Sequence, residues 1–236
     1  MVKLPPQLIL LPGLDGSGDL FGNLLDELLS GYDRSVVRYP SNLASYADLE
    51  AIVRAAVPEY RAYVLLAESY SSPLAMRIAS THPGDLRGLI LCGGFAASPV
   101  RGPWRAAIRL ATPWLLPFRQ HRSTVRRFLA GPNAPDDLIE QIRKAIRMVP
   151  AQVLANRVKE VLRCDVRNDV DKIYVPILCL RGSADRLVSA RCAREILSRA
   201  RREESKSVTI DGPHLLLQAQ PAACVHAIAD FLHHQC

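Results

Sequence analysis

Tyr63-Val-Leu-Leu-Ala-Glu-Ser69-Tyr-Ser-Ser-Pro-Leu-Ala-Met-Arg-Ile-Ala79 is the stretch that decides how this chain folds. Tyr63–Glu68 is a short apolar run of the length expected for a buried strand. It ends in a small-x-Ser-x-small turn, Ala67-Glu-Ser69-Tyr-Ser71, and helical spacing resumes at once with Leu74 and Ile78. Strand, sharp turn and helix in that order lift the Ser69 hydroxyl clear of the sheet. Glycine normally flanks such a serine, because the strand and helix backbones nearly touch around the turn. Ala67 and Ser71 stand in those places and are the next smallest choices. Taken alone, Ser69 also fits a second reading, since serine after a strand is a frequent helix N-cap.

Outward from this stretch, strands and helices alternate. Gln7–Leu11, Ser35–Arg38, Leu86–Cys92, Ile177–Leu180 and Lys206–Ile210 read as strands. Leu20, Leu24, Leu25, Leu28 and Leu29 recur at helical spacing, and helices are expected over Tyr46–Val57 with Ser45 as N-cap, Ala190–Leu197 and Ala222–Leu232. The alternation implies an α/β fold, a mostly parallel sheet with helices on both faces. Residues 98–170 break the rhythm. They are rich in Arg and Pro, hold both tryptophans, and carry helical spacing over Ser123–Ala130 and Asp136–Met148 without a convincing strand. They read as a helical cap inserted into a core made of residues 1–97 and 171–236.

With 236 residues, 49% of them hydrophobic and 22% charged, the chain is long enough to bury a core without staples. No apolar run approaches the ~20 residues needed to span a bilayer, so no stable membrane insertion is expected. Leu8–Leu11 is too short for a signal-peptide core and runs into Pro12-Gly13. The six cysteines show no CxxC spacing, and Cys92 and Cys179 lie in apolar strands. Reduced thiols in a cytoplasmic protein, with no metal and no cofactor, are therefore expected. The net charge of +7 is unevenly spread: residues 100–170 hold 14 Lys/Arg and 6 Asp/Glu, leaving the rest of the chain near neutral. Such an excess serves either as a solvated face or as a docking surface for an acidic partner. No nucleic-acid-binding signature accompanies it, so no nucleic-acid partner is expected. Arg126, Arg127, Arg143 and Arg147 are the candidate docking cations. Trp104, Trp114 and Phe118 are candidates for cap core or pocket lining.

In a parallel α/β sheet, functional groups gather at the carboxyl ends of the strands. Ser69, Asp185 and His214 each follow a strand. A serine hydroxyl is a poor nucleophile until a base takes its proton, and a histidine does so near neutral pH. A buried carboxylate holds the histidine tautomer and stabilises the imidazolium. Asp211 and Asp165 are rivals for the carboxylate role, though Asp211 also reads as a turn cap and Asp165 lies at the cap–core junction. Glu68 adjoins Ser69 but faces the other side of its strand. It reads as a structural acid at the sheet end or as a pH-sensitive tuner of the site.

Four segments, Leu-Pro-Gly-Leu-Asp-Gly (11–16), Ala-Glu-Ser-Tyr-Ser (67–71), Gly-Ser-Ala-Asp-Arg-Leu-Val (182–188) and Asp-Gly-Pro-His (211–214), give the chain a resemblance to the α/β-hydrolases over nearly its whole length. The resemblance implies an α/β-hydrolase fold with a helical cap, and a Ser69 nucleophile, a His214 base and an Asp185 acid. It also implies an oxyanion hole from the Leu14 and Tyr70 amides. The chain looks like the small bacterial carboxylesterases, and Thr124–Ala130 is similar to the cap of the pimeloyl-acyl-carrier-protein methyl ester esterases of biotin synthesis. That likeness implies an acyl ester, small or carrier-bound, as substrate and an acidic acyl carrier protein as partner of the basic cap. Pro12 stands where the family's oxyanion loop usually has histidine. Thioester hydrolysis and acyl transfer use the same three residues and stay open as alternatives. So does a hydrolase-fold binding protein without turnover, which the replaced glycines motivate.

Overall fold

Six strands, β1 (Gln7–Leu11), β2 (Arg34–Val36), β3 (Tyr63–Glu68), β4 (Leu86–Cys92), β5 (Ile177–Gly182) and β6 (Lys206–Ile210), build one sheet in the order β2-β1-β3-β4-β5-β6. Every pair in it is parallel. The computed structural model describes residues 5–28, 31–102 and 121–235. The helices are α1 (Gly22–Glu27), α2 (Tyr46–Ala56), α3 (Ser72–Ala79), α4 (Arg122–Val125), α5 (Asp136–Arg147), α6 (Ala151–Arg163), α7 (Arg167–Val170), α8 (Ala190–Leu197), α9 (Leu216–Ala219) and α10 (Pro221–Gln235).

Alternate strand residues point to opposite faces, and both faces are covered. Ile9, Leu11, Leu65, Ala67, Leu89, Leu91, Ile177 and Cys179 pack with residues of α2, α3, α7 and α8. Leu8, Leu10, Val64, Leu66, Ile90, Cys92, Leu178 and Leu180 pack with residues of α1 and α10. This double burial is why the strands read as continuous apolar runs. Burial also silences two of the thiols: Cys179 and Cys224 are pushed up to about 12, and no disulfide joins any of the five described cysteines.

Several expected boundaries move. β2 covers Arg34–Val36, not Ser35–Arg38, because its register with β1 ends at Leu10↔Val36 and β1 then runs into Pro12, which has no N–H to offer. β5 runs two residues further than expected, since Arg181 and Gly182 still pair with Thr209 and Ile210. α10 starts at Pro221, a residue suited to the first helical turn. α2 carries the expected cap, with Ser45 Oγ accepting from the Asp48 N–H at 3.1 Å.

Between β4 and β5 the described residues hold helices α4 to α7 and no strand, apart from one antiparallel bridge, Ala97↔Asp165. Val125, Leu138, Ile139 and Ile142 form their own cluster, closed on its inner side by Leu215. Val166 and Val170 lie within the segment read as cap but pack into the core of the sheet, so core packing starts before residue 171. Among the described residues no helix is long and apolar enough to cross a membrane.

Candidate active site

The sheet order places a switch between β1 and β3: the chain goes from β1 out to β2, then crosses back past β1 to β3 and onward. Crevices at the carboxyl ends of strands form at such points. Ser69 follows β3, and the loop of Pro12–Gly16 follows β1, whose Leu11 pairs with Ala67. The two loops are therefore neighbours.

Ser69 has φ 44, a left-handed conformation costly for a side chain larger than hydrogen. That turn aims its hydroxyl outward, where Oγ lies 2.9 Å from His214 Nε2. His214 Nδ1 lies 2.8 Å from Asp185 Oδ2, with both side chains nearly removed from solvent. Asp185 Oδ1 accepts the Leu187 and Val188 amides at 2.8 and 2.9 Å. Burial alone raises the Asp185 pKa. The hydrogen bond and charge of His214 with those two amides outweigh it, and the carboxyl is held below its ordinary value. An ionised Asp185 accepts the Nδ1–H of His214, which leaves Nε2 free to accept the Ser69 proton. The geometry also answers the N-cap reading: the Ser69 hydroxyl meets an imidazole, and no side chain caps the following turn.

The rivals for the acid lie elsewhere. Asp211 accepts from Ser183 Oγ at 2.6 Å, and Asp165 forms an exposed ion pair with Arg167 at 2.5 Å. Glu68 is buried behind the site, where Gln218 Nε2 donates to its Oε1 at 2.9 Å. Desolvation by burial raises its pKa to about 7 against the lowering effect of Gln218.

Ser71, in the place usually held by glycine, is fully buried and functional for the loop. Its hydroxyl donates to the Pro12 carbonyl and lies 2.7 Å from Tyr39 Oη. Tyr70 stacks on Tyr46 with ring centroids 4.9 Å apart, and Tyr46 Oη donates to the Tyr70 carbonyl at 2.9 Å. The loop bearing Leu14 and the turn bearing Tyr70 thus sit side by side, each tied through its carbonyls.

The cap residues divide. Trp104, Trp114 and Phe118 lie outside the described residues. Arg126 is partly buried, bonded to the Asp136 carboxylate at 2.5 Å and to the Ala134 carbonyl at 2.6 Å. Arg143 and Arg147 lie 2.5 and 3.7 Å from Glu140, which Arg122 also pairs at 3.1 Å. Arg127 is exposed, with its guanidinium 5.6 Å from the Phe128 ring. None of these four arginines is bonded to Ser69, Asp185 or His214. Arg126, Arg143 and Arg147, together with Arg122, form a surface cluster that shares the Asp136 and Glu140 carboxylates.

Sequence reasoning missed three contributors. Gly93, at the end of β4 with φ +58, leaves room for His214: a Cβ there would sit 3.1 Å from the ring. Its signal was the Gly93-Gly94 pair directly after a strand. Gln218 carried no signal. Arg157 was hidden among the many arginines of the basic segment, yet it is the largest fully buried side chain described.

The family described as serine aminopeptidase, S33, matches residues 33–218, a span that includes Ser69, Asp185 and His214. No curated protein matches the chain in sequence. Among solved structures, the bromoperoxidase from Bacillus anthracis aligns with TM-score 0.82 at 14% identity, over 98% of this chain and 93% of that one. MenH from S. aureus aligns with TM-score 0.80 at 15% identity, over 99% and 95%. An esterase from Exiguobacterium antarcticum aligns with TM-score 0.78 at 16% identity, over 98% and 93%. At these identities the likeness is one of fold.

Proposed function

This chain belongs to the serine aminopeptidase (S33) family and is a serine α/β-hydrolase enzyme, and from that premise we propose that it is a carboxylesterase acting through Ser69, His214 and Asp185. The observation that carries the proposal is the continuous chain Ser69 Oγ, His214 Nε2, His214 Nδ1, Asp185 Oδ2, with links of 2.9 and 2.8 Å. His214 takes the Ser69 proton as Oγ attacks the ester carbonyl carbon. The Leu14 and Tyr70 amides receive the oxyanion of the tetrahedral intermediate. The C–O bond to the alcohol then breaks, and His214 hands its proton to the departing alkoxide. Water, deprotonated by the same imidazole, attacks the acyl carbonyl carbon; the C–Oγ bond then breaks as the imidazolium returns the proton to Ser69 Oγ, releasing the acid and free Ser69. Asp185 stays ionised throughout and supports the imidazolium.

The helices between β4 and β5 act in this reading as a cap over the acyl group. The favoured substrate is the methyl ester of a pimeloyl chain on acyl carrier protein. Its support is the likeness of Thr124–Ala130 to the cap of that enzyme class and the positive excess of residues 100–170.

The test is hydrolysis of p-nitrophenyl butyrate by the wild type and by Ser69→Ala, with an aminoacyl p-nitroanilide in parallel. Loss of the nucleophile is expected to lower kcat on the order of 10⁴-fold or more. Retention of ester hydrolysis in Ser69→Ala refutes the assignment, and preference for the anilide replaces esterase by amidase.

A further inference from the structure

Arg157, in α6, is a cation buried in the described structure and 0% exposed. Burying a guanidinium is costly unless each N–H finds an acceptor. Here all of its acceptors are main-chain carbonyls. Nη1 donates to Leu14 O at 2.9 Å and to Asp15 O at 2.8 Å. Nη2 donates to Leu43 O at 2.9 Å and to Pro40 O at 3.1 Å, and Nε donates to Leu43 O at 3.1 Å. Five bonds thus match the five N–H groups of the side chain. Two segments that flank the crevice, 14–15 and 40–43, are gripped by one group arriving from the inserted helices.

The consequence lies in the loop after β1. The Pro12 carbonyl accepts from Ser71 Oγ, and the Gly13 carbonyl accepts from the Gly16 N–H at 3.1 Å. The Leu14 and Asp15 carbonyls are held by Arg157. Each successive peptide from Pro12–Gly13 to Asp15–Gly16 is therefore oriented by a named bond. The last two are held by Arg157 directly, and the Gly13–Leu14 peptide, which carries the Leu14 N–H, is held at one remove: the Gly16 N–H that donates to its carbonyl belongs to the Asp15–Gly16 peptide. Gly16, with φ +74, permits this approach, since a Cβ there would stand 2.6 Å from Nη1. The guanidinium also lies 5.9 Å from the Tyr70 ring centroid, beside the other turn of the site.

We propose that Arg157 is the positioning residue of the oxyanion loop, so that the seating of the inserted helix α6 and the aim of the Leu14 amide are one event. Resting on the esterase reading above, the inference assigns Arg157 no contact with substrate. A displaced α6 releases two peptides of the loop, and donors aimed at a transition-state oxyanion lose effect steeply when misplaced.

Two variants of the whole chain test it. Arg157→Lys keeps the charge and most of the stem, but its three N–H groups do not reproduce the planar five-bond fork. With p-nitrophenyl butyrate its kcat is expected to fall on the order of 10- to 100-fold while KM stays within about twofold. The inhibition constant of a trifluoromethyl ketone, whose adduct with Ser69 carries the oxyanion, should rise in step. In Arg157→Ala, added methylguanidinium should restore part of kcat. A folded Arg157→Lys with wild-type kcat and inhibition constant overturns the inference. So does a loss that follows only the folded fraction and is not recovered by methylguanidinium. If Ser69→Ala keeps full activity, the esterase reading fails and this inference falls with it. If Ser69→Ala is inactive while Arg157→Lys is unaltered, only this inference fails.

Discussion

Glu68 and Ser69 are chain neighbours with opposite surroundings. The turn throws Ser69 towards His214, whereas Glu68 stays in the strand and is buried against Gln218. Burial lifts the Glu68 pKa from 4.5 to about 7, so the folded chain binds this proton more tightly than the unfolded one. Its contribution to stability is present in full below pH 4.5 and is lost as pH rises through about 7. The linkage has an upper scale of roughly 3 kcal/mol. Glu68→Gln removes it, so thermal unfolding midpoints at pH 5 and pH 8, taken for both proteins, should show the variant gaining on the wild type at the higher pH. A constant offset across that range would mean that Glu68 does not titrate there. The acid side of the range belongs to Asp185, held below its ordinary value, whose contribution is lost only as pH falls through its folded pKa.

At the scale of elements, Ser69, Asp185 and His214 follow β3, β5 and β6, and a glycine after β4 decides whether they fit together. Gly93 closes β4 under the His214 ring, and its N–H donates to the Leu180 carbonyl at 2.9 Å. Gly93→Ala adds a methyl group 3.1 Å from the imidazole at a residue with φ +58. The strain costs roughly 1–2 kcal/mol. The displaced ring should lower kcat on the order of 10²-fold, measured by ester hydrolysis on folded protein. On the opposite side, the π-type turn Arg126–Ala130 brings the Leu129 carbonyl onto the Leu215 N–H at 2.9 Å, next to His214. The inserted helices thus contact both the histidine loop and, through Arg157, the loop after β1. The alternation that marked the strands was visible along the chain because each is buried on both faces. The bounds of the short β2 differ from those its own pattern predicts, because its ends depend on its partner β1.

Over the whole molecule, charge is the property with a consequence at long range. Arg122, Arg126, Arg143 and Arg147 share Asp136 and Glu140, leaving a net positive cluster on the inserted helices. Exposed pairs of this kind add little stability, and their field is screened by salt. If an acidic carrier docks there, raising salt from about 0.05 M to about 0.5 M should lower kcat/KM for a carrier-bound methyl ester at least about fivefold. The same change should leave p-nitrophenyl butyrate hydrolysis unaltered. Equal salt effects on both substrates would remove the docking role and leave the arginines as a solvated face.

The sequence by itself determined the parallel α/β arrangement, the turn at Ser69 and the chain order of Ser69, Asp185 and His214. Those features are written in local periodicity and turn composition, which act over a few neighbouring residues. The tertiary structure alone decided which side chains share a bond. Asp185, and not Asp211, meets His214, although Asp211 is nearer along the chain. Ser71 turns a replaced glycine into a tie on the next loop. Arg157 reaches Leu14 across 143 residues of sequence. Contacts at such separations arise from how packed layers fit together, and no spacing along the chain encodes them.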